Sequence, residues 1–378
     1  MNNNRIESGK VILKLFLVNM LLLAVNILQA ASNSQDSVKT IILQETNQLM
    51  KSSGYDMISG VLYMKGKTYQ FHYGLLSSGK KPDHHTLFEI GSITKTYTGL
   101  LLSQAVYNGI VNLDEDIRNY IDGSYPNLIL NNGKLITVRH LITHTSGFPM
   151  NINCTNLGSN AESQLSCFNS FSKTAFFKAL KDIKLNDNSG EQYSYSNAGV
   201  QLVGYILENR YKLPFHSLLK KYIFSRSGEQ NTYAVLTKKE NEKLSRGKNS
   251  EKQLMPLINK GYQYAGGLKS STGSMLDYMR MYLESNDPIV IQSMNLLKGN
   301  IQNGRAYAWN TYNYNKETKM LYHSGGTFGY SSWIALYPNQ KTGLFLVTNI
   351  YTDDSQRHLN ELSNKIMNRL KISSPEDK

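Results

Sequence analysis

The segment from Phe88 to Leu100 places a serine and a lysine one helical turn apart, directly after a short apolar run and a glycine. Residues three positions apart lie on the same face of a helix, so Lys95 is expected beside Ser92. A serine hydroxyl becomes nucleophilic when a neighbouring group takes its proton. The apolar stretch Thr94 to Tyr107 predicts a long helix whose free N–H groups and positive dipole end suit a developing oxyanion. The sequence therefore predicts a strand–turn–helix unit that presents Ser92 as the nucleophile of an acyl transfer.

The Ser-x-x-Lys spacing alone does not single out Ser92, and an ordinary helix-capping serine is the alternative interpretation. The same spacing also begins at Ser77, Ser78, Ser170, Ser217 and Ser245. Those serines lie in polar turns, polar stretches or an ordinary amphipathic segment. Only Ser92 follows a glycine and precedes a long apolar segment. The context therefore favours Ser92 as the nucleophile.

Length and composition limit the class of protein. The chain has 378 residues, of which 40% are hydrophobic and 18% charged, enough for one large domain or two joined domains with a substantial core. Its formal net charge is +13, and a basic excess can favour anionic surfaces. The basic residues form no stripe with interleaved aromatic residues, so we expect no nucleic-acid partner. We interpret the charge as a lysine-rich solvated surface.

The first thirty residues have the pattern of a secretory signal peptide. Arg5, Lys10 and Lys14 form a basic region, Leu15 to Leu28 is apolar, and small residues near Ala30 offer a cleavage site. The apolar run is short for a membrane span, which needs about 20 residues. We therefore expect an exported protein, periplasmic or secreted, with residues 31–378 as the mature domain. Membrane association is expected only if the signal stays uncleaved and anchors the chain.

The chain has two cysteines, Cys154 and Cys167, separated by a polar loop. In an exported protein they are expected to form one local disulfide. Two free thiols are the alternative. A catalytic thiolate is not favoured, because neither cysteine has a histidine near it in sequence.

A histidine pair raises the question of a metal site. His140 and His144 lie at positions i and i+4, a spacing that can bind one metal ion from a helix. No third ligand is evident in the sequence. We therefore interpret the pair as structural and expect no metal and no organic cofactor.

The order of predicted elements indicates an α+β fold. A helix is predicted over Ser37 to Met50, followed by a hairpin over Met57 to Tyr73. A mostly helical region follows, with Leu141 to Pro149 among its clearest segments, and four strands and a closing helix end the chain. The closing segments are Tyr307 to Tyr314, Met320 to His323, Ser331 to Tyr337, Leu344 to Asn349 and His358 to Leu370. We expect one antiparallel sheet built from both chain ends and flanked by helices, with a mostly helical insertion over about residues 112–262.

Five sequence blocks together resemble the serine β-lactamase-related family, which includes class C β-lactamases, DD-peptidases, D-aminopeptidases and family VIII esterases. Phe88 to Leu100 resembles its nucleophile block. A Tyr-x-Asn motif lies at 195–197, and a His-x-Gly motif opens the segment 323–326. The segments 141–149 and 264–271 are similar to two further recurring blocks. The five occur in the family's order over essentially the whole mature chain, and the resemblance implies the penicillin-binding-protein/β-lactamase-like fold.

The resemblance implies a role for each motif residue around Ser92. Lys95 and Tyr195 would form the proton relay, and Asn197 would orient Lys95 and offer its amide to the substrate. Both relay side chains have ordinary pKa values of about 10, so the site must lower one of these values for proton acceptance near neutral pH. The sequence leaves open which of the two is the base.

The third motif is expected to line the site from a strand. The family places the oxyanion hole at two backbone N–H groups, here those of Ser92 and Gly326. Gly325 and Gly326 would allow a close approach to the site, since glycine has no side chain. His323 departs from the lysine of many family β-lactamases. A largely neutral imidazole would bind a substrate carboxylate less strongly than a permanent cation, which disfavours efficient β-lactam hydrolysis.

These observations predict an exported serine hydrolase that works through an acyl-enzyme on Ser92. The expected substrates are D-amino-acid-containing peptides of cell-wall type, including peptidoglycan, in the manner of a DD-carboxypeptidase or aminopeptidase. A class C-like β-lactamase and an esterase are the alternatives within this class of enzyme. A non-catalytic protein that binds penicillin or peptidoglycan is the alternative of another class.

Overall fold

The computed structural model describes residues 36–373, except 131, 153–165, 169, 187–188, 259–260 and 301. The predicted signal peptide, residues 1–30, lies outside this range. The chain divides into two compact units between Gln48 and Leu49. Residues 36–53 are helical, as predicted, and the second unit contains the sheets and the site. The described helices fall short of the length and apolar character that a bilayer crossing requires.

The main sheet has eight strands in the order β2-β1-β11-β10-β9-β8-β7-β6, and every neighbouring pair is antiparallel. Its strands are β1 (Met57–Met64), β2 (Lys67–Gly74), β6 (Lys298–Gly299), β7 (Gly304–Arg305), β8 (Asn310–Asn313), β9 (Lys319–Gly326), β10 (Ser331–Tyr337) and β11 (Thr342–Thr348). The early hairpin pairs with the last strand, Ser59 opposite Val347. The sheet is therefore built from both ends of the second unit, which confirms the predicted α+β architecture.

A second sheet has three short strands in the order β3-β5-β4. These are β3 (Leu87–Glu89), β4 (Thr232–Tyr233) and β5 (Lys269–Ser271). All three residues of β3 are buried, as its apolar sequence predicts. This sheet fixes the strand from which the chain enters the Ser92 turn.

The described helices differ widely in length. In chain order they are α1 (residues 36–53), α2 (Thr94–Tyr107), α3 (Val138–Ile142), α4 (Lys173–Leu180), α5 (Asn197–Tyr211), α6 (Phe215–Leu219), α7 (Ser225–Ser227), α8 (Lys238–Asn241), α9 (Gln263–Gly266), α10 (Thr272–Glu284), α11 (Pro288–Ser293) and α12 (Ser355–Arg369). Residues 94–105 of α2 are all buried. A helix buried on every face must be apolar or internally satisfied all round, and α2 is therefore the central helix of the core.

The segment Leu141 to Pro149 differs from its prediction, because α3 ends at Ile142. Thr143 donates through its hydroxyl to the Arg139 carbonyl at 2.7 Å, and Thr145 N–H donates to the His140 carbonyl at 2.9 Å. Local bonds of this kind compete with helix continuation. The rest of the segment is a turn that leads towards the site.

Glu229 is buried between α2 and β4 with three hydroxyl donors: Tyr97 at 3.0 Å, Thr232 at 2.5 Å and Ser227 at 3.0 Å. Burial raises the pKa of Glu229 to about 7. A raised carboxyl pKa contributes stability that is complete below the unfolded-state value of about 4.3 and is lost as the pH rises through about 7. This carboxyl is therefore a pH-dependent part of the core.

We expect Glu229→Gln to remove this loss of stability. Between pH 4.5 and 7.5 the free energy of unfolding of the wild type should fall by about 3 kcal/mol more than that of the variant. Chemical denaturation of both proteins across this range measures the difference. Parallel pH profiles for the two proteins would contradict the prediction.

Candidate active site

Ser92 lies in a tight turn between β3 and α2. Residues Gly91–Ile93 form one turn of 3-10 helix that runs directly into α2. Gly91 has a φ of +51°, and a Cβ at this position would lie 2.6 Å from the Gly326 nitrogen. Only glycine fits both the left-handed backbone and this approach. Gly91 therefore allows the serine turn to pack directly against β9.

Lys95 lies one turn along α2 and is completely buried. Its Nζ is 2.9 Å from Ser92 Oγ, 2.7 Å from Asn197 Oδ1 and 2.6 Å from the Ala265 carbonyl oxygen. None of these partners carries a charge. Because burial is not compensated by a carboxylate, it lowers the pKa of Lys95 well below its ordinary value.

Tyr195 contacts Ser92 from the start of α5, with Oη 2.6 Å from Ser92 Oγ. The next residue, Ser196, caps α5 by accepting from Gly199 N–H at 2.9 Å, and its hydroxyl donates to the Pro149 carbonyl. Burial raises the pKa of Tyr195. The capped helix start therefore holds a protonated phenol against the serine.

Asn197 links the lysine to a residue that the sequence analysis did not select. Its Oδ1 accepts from Lys95 Nζ, and its Nδ2 donates to Asn151 Oδ1 at 3.0 Å. Asn151 lies in no motif, and only its place just after the 141–149 block could have pointed to it. The tertiary structure brings the two asparagines and the lysine into one chain of hydrogen bonds.

Strand β9 carries the third motif along the other side of the serine turn. A Cβ at Gly325 would lie 2.1 Å from the Ile90 carbonyl oxygen and 2.2 Å from Ser332 Oγ. Ser332 Oγ also donates to that carbonyl at 2.9 Å. The strand therefore lies in direct contact with the serine turn and brings Gly326 beside Gly91, as the motif order predicts.

His323 is buried on β9 and lines the same cleft. Its Nδ1 lies 2.6 Å from the Ser324 carbonyl oxygen, so Nδ1 carries the ring proton and donates it. Burial lowers the pKa of His323 to about 3. The imidazole is therefore neutral across the physiological pH range.

The cleft above Ser92 has a volume of about 1230 Å³. Its lining includes the carboxylates of Glu251, Asp353 and Asp354. Among the described residues, no lysine or arginine lines it. Asp354 is paired with Arg357 at 3.0 Å, so the negative charge of the described lining comes from Glu251 and Asp353.

A buried ion pair connects β5 to β3, the strand that precedes the serine turn. Lys269 Nζ on β5 lies 3.9 Å from Glu89 Oε1 on β3, and both side chains are almost fully buried. Glu89 also accepts from Ile258 N–H at 2.7 Å, and Ile258 lines the cleft. The pair therefore joins the serine strand to the cleft wall, a connection that the sequence analysis did not detect.

The cysteine pair and His140 were also considered in the sequence analysis. Cys154 lies outside the described residues, so its pairing with Cys167 stays a prediction, although Cys167 is not a free thiol. His140 accepts through Nδ1 from Thr137 N–H and completes the cap of α3. Among the described residues, no cluster of histidine, cysteine and carboxylate side chains could hold a metal ion.

Serine hydrolases of the β-lactamase and DD-peptidase type combine this fold with a serine that contacts both a lysine and a tyrosine, and this chain is one of them. A family profile described as Beta-lactamase matches residues 46–365. The match covers most of the chain. The protein belongs to the β-lactamase family.

Individual relatives are distant. The chain is similar to Protein flp of Staphylococcus aureus (strain MRSA252), with 25% identity over 365 residues that cover 91% of this chain and 68% of that protein. It is 27% identical to a β-lactamase of Providencia stuartii over 70% of this chain and 64% of that protein. The chain thus spans about two thirds of the length of these relatives.

Solved structures share the fold. A β-lactamase/D-alanine carboxypeptidase from Pseudomonas syringae superposes with a TM-score of 0.74 at 20% identity, over 90% of this chain and 100% of that one. A class C β-lactamase gives a TM-score of 0.76 at 20% identity, over 88% and 96% of the two chains. At this identity the likeness supports the architecture and leaves the substrate open.

Proposed function

We propose that Ser92 is the nucleophile and that Lys95 in its neutral form is the general base. The main support is that Lys95 is completely buried and that its Nζ has three uncharged hydrogen-bond partners. A neutral amine has two N–H donors and one lone pair. The donors match the oxygens of Asn197 and Ala265, which cannot donate a proton in return. The lone pair is left for the hydroxyl proton of Ser92.

Tyr195 is the proton donor of the site. Its raised pKa keeps the phenol protonated, and its O–H donates to Ser92 Oγ at 2.6 Å. When Ser92 Oγ attacks a substrate carbonyl carbon, its proton passes to Lys95 Nζ and a C–O bond forms. Collapse of the tetrahedral intermediate breaks the bond to the leaving group, which takes the Tyr195 proton, and the Lys95 ammonium returns a proton to the Tyr195 phenolate. In deacylation water attacks the acyl ester and gives a proton to the same relay, and Ser92 Oγ regains a proton as it leaves.

The oxyanion would be held by the backbone N–H groups of Ser92 and Gly326. The support for this assignment is the contact of the serine turn with β9 at Gly91 and Gly325. Preformed backbone donors stabilise the negative charge that develops on the carbonyl oxygen. Asn197 would orient Lys95 and bind the substrate amide.

We infer that the substrate is a D-amino-acid-containing peptide of cell-wall type, cleaved in the manner of a DD-carboxypeptidase or aminopeptidase. The neutral His323 supplies no cation for a C-terminal carboxylate, which favours the aminopeptidase manner of cleavage over the carboxypeptidase one. Glu251 and Asp353 add negative charge to the lining of the cleft, which favours a substrate that carries an amine. Peptidoglycan stems carry both D-residues and amines, so the wall polymer is the partner we propose.

A β-lactamase is the second candidate, and the similarity to the β-lactamase of Providencia stuartii favours it. We also propose that the protein is exported, which the signal-peptide pattern of residues 1–30 supports. An esterase and a non-catalytic binding protein are the remaining alternatives, and the following experiment distinguishes them.

The test is the intact mass of the protein after exposure to benzylpenicillin, followed over time beside Ser92→Ala. Hydrolysis of a D-alanyl p-nitroanilide, its N-acetylated form and a p-nitrophenyl ester is measured in parallel. We expect Ser92-dependent cleavage of the free-amine anilide, faster than that of the acetylated form, and at most a slow, persistent penicillin adduct. Ser92→Ala should lose adduct and turnover together.

Other outcomes identify the alternatives. A transient adduct with penicillin consumed means a β-lactamase, and turnover of the ester alone means an esterase. A persistent adduct without turnover of any substrate means a binding protein. Equal activity of wild type and Ser92→Ala would refute the nucleophile assignment.

A further inference from the structure

His144 lies in the turn after α3 and packs against Tyr195. The ring centroids are 4.7 Å apart, and His144 is almost fully buried. Its φ is +59°, a left-handed conformation that is uncommon for a residue other than glycine. Such a conformation persists where its surroundings hold it, often beside a functional group. The contacts of His144 show what this turn holds in place.

His144 bonds the backbone on both sides of Tyr195. Ser194 N–H donates to the His144 carbonyl oxygen at 2.7 Å, and Ser196 N–H donates to His144 Nδ1 at 3.2 Å. Tyr195 therefore sits between two peptide groups that are fixed by one residue. Any shift of His144 would move the backbone that aims Tyr195 Oη at Ser92.

The hydrogen bond from Ser196 determines the form of the His144 ring. Because Nδ1 accepts, the ring is neutral and its proton lies on Nε2. Burial, together with the nearby charge of Arg305, lowers the pKa of His144 well below its ordinary value. The side chain is therefore a fixed neutral acceptor and not a proton carrier.

A series of side-chain contacts connects His144 to the main sheet. Tyr193 meets the His144 ring nearly perpendicularly, at 86° and 5.7 Å, and the Arg305 guanidinium lies 4.3 Å from the Tyr193 ring centroid. Arg305 belongs to β7, and Tyr193 lines the cleft. The ring of His144 is thus confined between Tyr193 and Tyr195.

We propose that His144 is a positioning residue for Tyr195, acting through its Nδ1 acceptor and the contact between the two rings. The inference rests on the proposed role of Tyr195 at Ser92. It gives the histidine of the 141–149 block a role in the rate of catalysis, whereas the sequence analysis interpreted this residue as structural. A misplacement of Tyr195 would slow acylation and leave substrate binding unchanged.

The test compares three variants of the full chain. His144→Gly suits the left-handed backbone and removes the acceptor, whereas His144→Asn tolerates this backbone and retains an oxygen near the position of Nδ1. His140→Gln is the matched control, because His140 caps the same helix without contacting Tyr195. The rate constant of Ser92 acylation by a p-nitrophenyl ester, KM and the thermal unfolding midpoint are measured for each.

We expect His144→Gly to lower the acylation rate constant about 10- to 100-fold with KM changed less than about 2-fold. His144→Asn should recover most of the rate, and His140→Gln should keep the wild-type rate. Nitrogen NMR of histidine-labelled wild type should find His144 Nδ1 unprotonated between about pH 6 and 8.

A folded His144→Gly protein with the wild-type rate would overturn the proposal, and so would a protonated Nδ1 in the wild type. A folded His144→Asn protein as slow as a folded His144→Gly protein would do the same. If His144→Gly does not fold, the proposal is tested by the NMR result and by the acylation rate of His144→Asn. A wild type in which neither the ester nor the anilide acylates Ser92 would instead be a failure of the proposed function.

Discussion

Lys95→Gln is expected to slow acylation of Ser92 by a factor of about 10² to 10⁴, the usual contribution of a general base. The glutamine amide can still donate to the Asn197 and Ala265 oxygens, but it has no lone pair that accepts a proton near neutral pH. Rapid-mix kinetics with the p-nitrophenyl ester measure the rate. A variant within about 3-fold of the wild type would transfer the base role to Tyr195.

The same substitution is expected to stabilise the protein, by about 1–3 kcal/mol at pH 7, since it removes a buried amine with no charged partner. The pKa of Lys95 is lower in the folded protein than in the unfolded chain, which binds the extra proton between the two values. Wild-type stability should therefore rise with pH in that window, up to about 10.4. Lys95→Gln should lack this rise, which chemical denaturation across pH 7 to 10 measures.

Lys269→Gln is the matched control for this effect. Lys269 is buried like Lys95, but it pairs with Glu89 at 3.9 Å. Its removal leaves a buried carboxylate without its cation, which typically costs about 3–5 kcal/mol. The two buried lysines should therefore change stability with opposite signs. A loss of stability in both variants would contradict the neutral state of Lys95.

Gly325→Ala is expected to reduce both activity and stability. The new Cβ would lie 2.1 Å from the Ile90 carbonyl oxygen, a backbone atom of the serine turn that cannot rotate away. Strand β9 must then move from the turn, which displaces Gly326 and costs about 3 kcal/mol of stability or more. Loss of one oxyanion donor lowers kcat by about 10² to 10³. Denaturation and ester kinetics measure the two effects.

Gly343→Ala provides the comparison within the same sheet. A Cβ on this β11 glycine would meet only side-chain atoms, the nearest being Leu336 Cδ2 at 3.0 Å. Those side chains can adjust, so we expect a change below about 1 kcal/mol and wild-type kinetics. Equal effects of the two substitutions would show that close contact of β9 with the serine turn is not required.

The sequence by itself determined the parts of this protein that depend on local pattern. Alternating residues specified the β1–β2 hairpin, and the serine–lysine spacing placed both side chains on one turn before the central helix. The order of the five blocks pointed to Tyr195, Asn197 and the β9 motif, although these lie far apart in the chain. In the structure, Lys95 and Tyr195 both contact Ser92 Oγ.

Only the tertiary structure decided the electrostatic state of the site. The sequence shows that residue 95 is a lysine, but the pKa of its amine depends on burial and on the charge of its partners. Here both favour the neutral form. Asn151 lies in no motif and His144 was interpreted as structural, and both make their contacts with the site only because distant segments pack together. Burial likewise leaves His323 neutral. Desolvation and hydrogen-bond partners arise from the packing of the whole chain, and local sequence does not specify them.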